Sequence, residues 1–371
     1  MEDYFCRLNE IIPTSAMAPS TEPQVWAEGE PLSLPASYTF QGVEKATEDL
    51  LNETGTAAIV VIRDGKLAYE RYSLTGGPSI PWLSMSVAKS FVSALVGIAL
   101  DEGHIKSLDD PISDYIPVDT GSAYDGVKII DVLQMSSGAR WNEDYSDQDS
   151  DAARMAHAMS AGGSLDRLVA TAVREFTPGT ICRYNSADTQ ALGSLLVYAT
   201  GRSLTEYMQE KLVEPLGFTH GSYWLTDATG REAAFAGLNM TGRDFARLGQ
   251  LYLNQGKWNN HQIISEPYVA DSIVANRSHT QPGKPLLSGN PSELGYGYQW
   301  WIPEQQDGSF TALGVYNQMI YVQPKTQTVV VKLSANTKYG TSMDEAVNRD
   351  MENIAFLERF ASYGVSSLPQ S

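Results

Sequence analysis

The chain is poor in the features that would commit it to a special structural class. Only two of its 371 residues are cysteines, Cys6 and Cys182. They lie far apart and in no metal-ligand spacing, so neither a disulfide framework nor a zinc site is built from them, and both are expected as free thiols. No run of about 18 apolar residues occurs, which excludes a membrane-spanning helix. The opening Met1-Glu2-Asp3-Tyr4-Phe5-Cys6 lacks the basic and apolar stretches of a secretory leader. The expected location is cytoplasmic, or periplasmic if a leader has been removed. Cations are scarce too: 26 Lys and Arg against 44 Asp and Glu leave a formal charge of −18. Nucleic acid is excluded as a partner, because phosphate binding needs clustered Lys and Arg to release counterions. The five histidines, His104, His157, His220, His261 and His279, stand beside no motif, and no Gly-x-Ser-x-Gly elbow lies where an α/β-hydrolase would carry one. Neither a metal nor an organic cofactor is implied.

What is present is a foldable chain, 42% hydrophobic and 10% aromatic. Its length exceeds the about 250–300 residues at which single cores stop growing, so two packed domains are expected. Five prolines before Ser37 make residues 1–37 an irregular arm. The β-rich runs Ala57–Arg63 and Lys66–Tyr72 flank Asp64-Gly65, a strong hairpin signal. Helical spacing follows Ser86 as far as Gly103 and recurs over 129–134, 152–160, 165–174, 187–200, 204–212 and 241–254. A Pro-, Gly- and Ser-rich stretch over 276–293 reads as a long loop. Strands return at Tyr296–Ile302, 310–313, 318–322 and 328–333, before a last helix over 342–361. This order predicts an α/β (α+β) fold: an antiparallel sheet flanked by helices and built from both chain ends, with an all-helical domain inserted. The expected boundaries are 38–108 with 290–371 for the sheet domain and 109–289 for the helical one, the active site lying between them.

One segment carries chemistry: Ser84-Met85-Ser86-Val87-Ala88-Lys89-Ser90. A serine hydroxyl needs a neighbouring group to take its proton, and positions i and i+3 of a helix face one another. Lysine serves as that base when burial depresses its proton affinity, and the neighbours Val87, Ala88, Phe91 and Val92 are apolar. At the first helical turn the nucleophile would also sit among free backbone N–H groups able to hold an oxyanion.

The segment resembles the first motif of the penicillin-recognising serine hydrolases, which include class C β-lactamases, D-alanyl-D-alanine peptidases, carboxylesterases and 6-aminohexanoate-dimer hydrolases. The resemblance runs from about Gly55 to Asn336, through Asp109-Asp110-Pro111-Ile112, Leu133-Gln134-Met135-Ser136-Ser137-Gly138 and Glu214-Pro215-Leu216-Gly217-Phe218. Tyr184-Asn185-Ser186 is similar to the family's Tyr-x-Ser motif, which implies that Tyr184 relays protons between Ser86, Lys89 and the leaving group. The third motif departs from the pattern: Ala312-Leu313-Gly314 stands where β-lactamases and peptidases carry a lysine or histidine. In those enzymes the cation helps hold the carboxylate of a penicillin or of a terminal D-alanine, so its absence argues against both activities. The resemblance further implies an oxyanion hole from the N–H groups of Ser86 and Val315; Gly314 permits close approach there, and Ser186 and Asn317 are further candidates for the substrate pocket. The loop Trp141-Asn142-Glu143-Asp144-Tyr145 is similar to one in nylon-oligomer hydrolases whose tyrosine closes over the substrate, which makes Tyr145 a substrate-binding candidate. The expected activity is hydrolysis of short esters or linear amides through an acyl-enzyme. A β-lactamase or D-alanyl peptidase, and a non-catalytic binding or sensor protein, are the alternatives.

Overall fold

The computed structural model describes residues 2–74, 77–304 and 307–364. Its strands run in chain order as β1 (Thr14–Met17), β2 (Thr56–Arg63), β3 (Lys66–Tyr72), β4 (Trp82–Leu83), β5 (Ser222–Leu225), β6 (Leu238–Met240), β7 (Gly295–Tyr296), β8 (Trp301–Ile302), β9 (Phe310–Gly314), β10 (Gln318–Gln323) and β11 (Thr328–Ser334), with short two-residue and arm strands besides. A seven-stranded antiparallel sheet has the order β7-β8-β9-β10-β11-β2-β3. Strands from both halves of the chain thus meet at its centre, where Val330 of β11 lies opposite Val61 of β2. The β2–β3 hairpin turns at Asp64 and Gly65, both at positive φ (51° and 70°). That geometry matches the twist of the flanking strands.

Strand period decides which layer each side chain enters. Val60, Ile62, Ile320, Val322, Val329 and Val331 join one core with the helices α1 (Ala88–Asp101), α2 (Ser186–Thr200) and α3 (Gly242–Leu253). Ile59, Val61, Met319, Tyr321 and Val330 join a second core with Phe356, Leu357 and Phe360 of α4 (Asp350–Ser362). Because both faces are covered, β2 reads as a continuous apolar run instead of an alternating one. At α3 the sheet is approached so closely that a Cβ on Gly249 would stand 2.5 Å from Val329 Cγ1. Glycine there lets helix and sheet close.

Several expectations need correction. Residues 109–289 are not all helical: β5 and β6 lie within them and join β1 and β4 in a four-stranded sheet of order β1-β5-β6-β4. These strands are three or four residues long and buried at every position, so no alternation marked them. The arm is likewise not wholly irregular, since β1 pairs with β5. Tyr296–Ile302 is not one strand but two, β7 and β8, folded back through a turn with Gln299 at φ 62°. The segment 276–293 includes a small hairpin, Leu286–Leu287 with Asn290–Pro291. The terminal helix is broken at Arg349, φ 58°, into Glu345–Asn348 and α4. No disulfide joins Cys6, half-buried, and Cys182, buried. No helix among the described residues is long and apolar enough to cross a membrane.

Candidate active site

The chain leaves β4 and enters α1 through a single tight turn, Met85–Val87, with Met85 in the left-handed region at φ 46°. Such a conformation costs a non-glycine residue about 1–3 kcal/mol and persists only where its surroundings hold it. Here Ser84 N–H donates to Leu238 O at 2.8 Å and Val87 N–H to Ser84 O at 3.2 Å. The result puts Ser86 at the head of a helix, facing a cavity of about 200 Å³.

Lys89 lies one turn on and is 1% exposed. Its Nζ is 3.1 Å from Ser86 Oγ, 3.2 Å from Ser186 Oγ and 2.8 Å from the Phe235 carbonyl oxygen. The rings of Tyr184 and Phe235 lie 5.2 and 5.7 Å from it. Burial lowers the lysine's pKa to about 8, and the negative charge of Glu143 opposes part of that fall. Tyr184 is stacked on Trp301 at 5.2 Å and tied by its backbone N–H to Leu286 O at 2.8 Å. Burial first, and then the Glu143 charge, raise its phenol far above the ordinary range, whereas a hydrogen bond with Ser86 lowers it. Ser86 thus has a neutral phenol on one side and a desolvated amine on the other. The arrangement suits removal of the serine proton and its later delivery to a leaving group.

Gly314 and Val315 border the same cavity at the end of β9. A Cβ on Gly314 would lie 2.7 Å from Ser84 O and 3.0 Å from Ser86 N, so only glycine lets the strand approach the turn that carries Ser86. The β9–β10 turn that follows has Tyr316 and Asn317 at φ 65° and is held by Gln318 Nε2, which donates to Val315 O and Tyr316 O at 3.2 Å each. Ala312 lies two residue pairs deeper in the sheet than Gly314, opposite Ile320 and buried.

Two of the expected pocket residues do not border the cavity. Asn317 is buried, its amide donating to Asn348 O at 2.7 Å and to Asp350 Oδ1 at 3.0 Å. Ser186 opens α2, but Asn185 caps that helix by accepting from Ala187 N–H at 2.8 Å. The Ser186 hydroxyl is therefore free to turn inward, toward Lys89. Tyr145 does border the cavity, and its hydroxyl donates to Glu143 Oε1 at 3.0 Å. The acidic residues lining the cavity are Glu293, Glu345 and Asp350, with no lysine or arginine among the described lining. Burial, reinforced by the Asp350 charge, raises Glu345 to about 8; burial raises Asp350 to about 6, against hydrogen bonds from Tyr339 and Asn317.

Residues 43–355 match the family model of the beta-lactamases. The chain belongs to the beta-lactamase family. This beta-lactamase-family chain is 30% identical over 345 residues to a 6-aminohexanoate-dimer hydrolase of Paenarthrobacter ureafaciens, covering 89% of the chain and 84% of that protein. A beta-lactamase of Pseudomonas fluorescens is 24% identical over 189 residues, 48% of the chain and 49% of that protein. A solved structure from Bacillus anthracis, assigned as a candidate 6-aminohexanoate-dimer hydrolase, superposes with a TM-score of 0.85 at 25% identity, covering 100% of the chain and 95% of its own. The chain is a serine hydrolase of the beta-lactamase fold.

The site of this beta-lactamase-family chain holds two groups that sequence reasoning passed over. The Phe235 carbonyl, a backbone atom in a loop, has no sequence signature. Glu143 had one: a carboxylate between Trp141 and Tyr145, both with polar tips, in a loop already marked by its aromatics. It is 2% exposed and bonded to Trp141, Tyr145 and Ser186.

Proposed function

We propose that this chain hydrolyses linear amides, of the 6-aminohexanoate-oligomer kind, or short-chain carboxylic esters through an acyl-enzyme on Ser86. The observation that carries the reading is the 3.1 Å contact between Ser86 Oγ and the buried Lys89 Nζ. Lys89, as the free amine, takes the serine proton while Oγ bonds to the substrate carbonyl carbon. Negative charge gathers on the carbonyl oxygen, within reach of the N–H groups of Ser86 and Val315. As the tetrahedral species collapses, its C–N or C–O bond breaks and Tyr184 delivers a proton to the leaving nitrogen or oxygen, taking in its place the proton that Lys89 had accepted from Ser86. Water then adds to the acyl carbon, its proton passing to the same relay, and the carboxylic acid leaves with Ser86 restored.

The cavity wall supports an uncharged ester, or the ammonium-bearing end of an amino-acid oligomer, over a carboxylate placed against it. Glu293 and Asp350 would repel an anion, Glu345 adds no cation because burial holds it largely protonated, and Ala312 supplies none to offset them. Tyr145 bears on the choice between amide and ester. Its O–H donates to Glu143, so toward the cavity the phenolic oxygen offers lone pairs that accept an amide N–H and that an ester cannot use. The 30% identity to a 6-aminohexanoate-dimer hydrolase agrees with this direction.

A panel of p-nitrophenyl acetate and butyrate, 6-aminohexanoate dimer and nitrocefin, run on wild type and Ser86→Ala, tests the reading. Hydrolysis of the esters or the dimer is expected, with loss in the variant. Undiminished hydrolysis by Ser86→Ala would refute it. Rapid nitrocefin turnover with an adduct on Ser86 would assign the chain to β-lactam or D-alanyl peptide chemistry instead, and labelling of Ser86 without turnover of any substrate would make it a binding or sensor protein.

A further inference from the structure

We propose that Glu143 is a positioning residue of this site, acting through Ser186 to aim the lone pair of Lys89 at Ser86. The inference rests on the acyl-enzyme reading above. All contacts to the Glu143 carboxylate come from donors: Ser186 Oγ at 2.6 Å and Tyr145 OH at 3.0 Å to Oε1, Ser186 N–H at 3.0 Å and the Trp141 indole N–H to Oε2. An ionised carboxylate accepts at every site and donates at none, so this set fits the anion. The backbone donor opens the 15-residue helix α2, whose N-terminus favours negative charge.

The consequence passes along a chain of three groups. Ser186 has one hydroxyl proton, and Glu143 takes it. Toward Lys89 the hydroxyl can then only accept, at 3.2 Å. A neutral lysine amine has two protons and one lone pair. The Phe235 carbonyl, at 2.8 Å, accepts one proton and Ser186 the other. The direction left over is that of Ser86 Oγ, at 3.1 Å, and it holds the lone pair. Without the carboxylate, the Ser186 hydroxyl could rotate and donate to that lone pair itself, competing with the nucleophile. Glu143 also holds its charge near Lys89, which restrains how far burial depresses the amine.

The other titratable groups around the pair do not supply this function. Tyr145 shares the Glu143 loop and donates to it. Tyr184 lies against Lys89 by its ring and is a neutral phenol. Asp188, in the first turn of α2, is occupied by Ser137 at 2.6 Å, Tyr124 at 2.8 Å and Asn185 at 3.0 Å. Asp350, at the start of α4, is bonded to Tyr339 at 2.6 Å and Asn317 at 3.0 Å and acts on Tyr184.

The test is the pH profile of kcat/KM for Glu143→Gln on p-nitrophenyl butyrate, beside a fluorophosphonate label on Ser86 in wild type. Removing an anion from beside the amine should move the acid limb to lower pH by about one unit, and loss of aim should lower the plateau about tenfold or more with KM little changed. An unmoved limb in a Ser86-labelled, active enzyme would reduce Glu143 to a packing role. If Glu143→Gln does not fold, Ser186→Ala decides. It keeps the carboxylate, so its limb should stay in place while kcat falls about tenfold, and wild-type kcat would overturn the proposal. A wild type that neither labels nor hydrolyses would remove the acyl-enzyme reading itself, which the variants alone do not touch.

Discussion

Lys89 should make the protein less stable than it could be, and Lys89→Met should reveal by how much. Its side chain is buried, and burial lowers its pKa from the ordinary 10.5 to about 8. The unfolded chain therefore binds more protons than the folded one between about 8 and 10.5, so the stability contributed by this position rises as pH climbs through that range. At about 1.4 kcal/mol per unit, the shift corresponds to a penalty of about 3 kcal/mol that is fully present below pH 8. Methionine fills similar space without charge, at the cost of the contacts to Ser86, Ser186 and Phe235 O, each worth about 1 kcal/mol net. Those losses do not depend on pH; the desolvation penalty does. Urea unfolding of both proteins at pH 7 and pH 10 separates the two. Relative to wild type, the variant should be more stable at pH 7 than at pH 10, by about 2–3 kcal/mol, while hydrolysis falls by at least about a thousandfold. A stability difference that is the same at both pH values would refute the reasoning, because Lys89 would then carry its charge in the fold at no cost.

The same lowered pKa sets the rate profile. Wild-type kcat/KM on a neutral ester should rise about tenfold between pH 7 and pH 9, with an inflection near 8, as Lys89 loses its proton. A flat profile over that range would argue against lysine as the base. Tyr145→Phe should lower kcat/KM for 6-aminohexanoate dimer by about tenfold and leave p-nitrophenyl butyrate within about twofold, since only the amide offers an N–H to the phenolic oxygen. Equal losses on both substrates would mean that Tyr145 shapes the cavity and does not read the amide.

Part of the site was legible because it is local. Ser86 and Lys89 are three residues apart, and a helix starting there brings them together whatever surrounds it. The Asp64-Gly65 hairpin was legible for a similar reason, its turn chemistry being written in two adjacent residues. Tyr184 and Val315 were placed by resemblance, and both border the cavity. Asn317, two residues past Val315, and Ser186, inside the Tyr184-Asn185-Ser186 motif, were pocket candidates by their place beside Val315 and Tyr184. Adjacency does not say which way a side chain turns: Asn317 faces Asn348 and Asp350, and Ser186 faces Lys89 and Glu143. The strands β5 and β6 escaped notice because a fully buried short strand has no polar face to reveal its period.

The sequence by itself determined that Ser86 and Lys89 face one another and that an antiparallel sheet forms, since helical spacing, turn chemistry and apolar runs act over a few residues. Only the tertiary structure decided what surrounds them. Glu143 reaches Ser186 across 43 positions and the Phe235 carbonyl reaches Lys89 across 146. The acidic cavity wall is drawn from residues as separate as Glu293 and Asp350. Contacts of that range follow from how packed layers close on one another, and no local pattern encodes them.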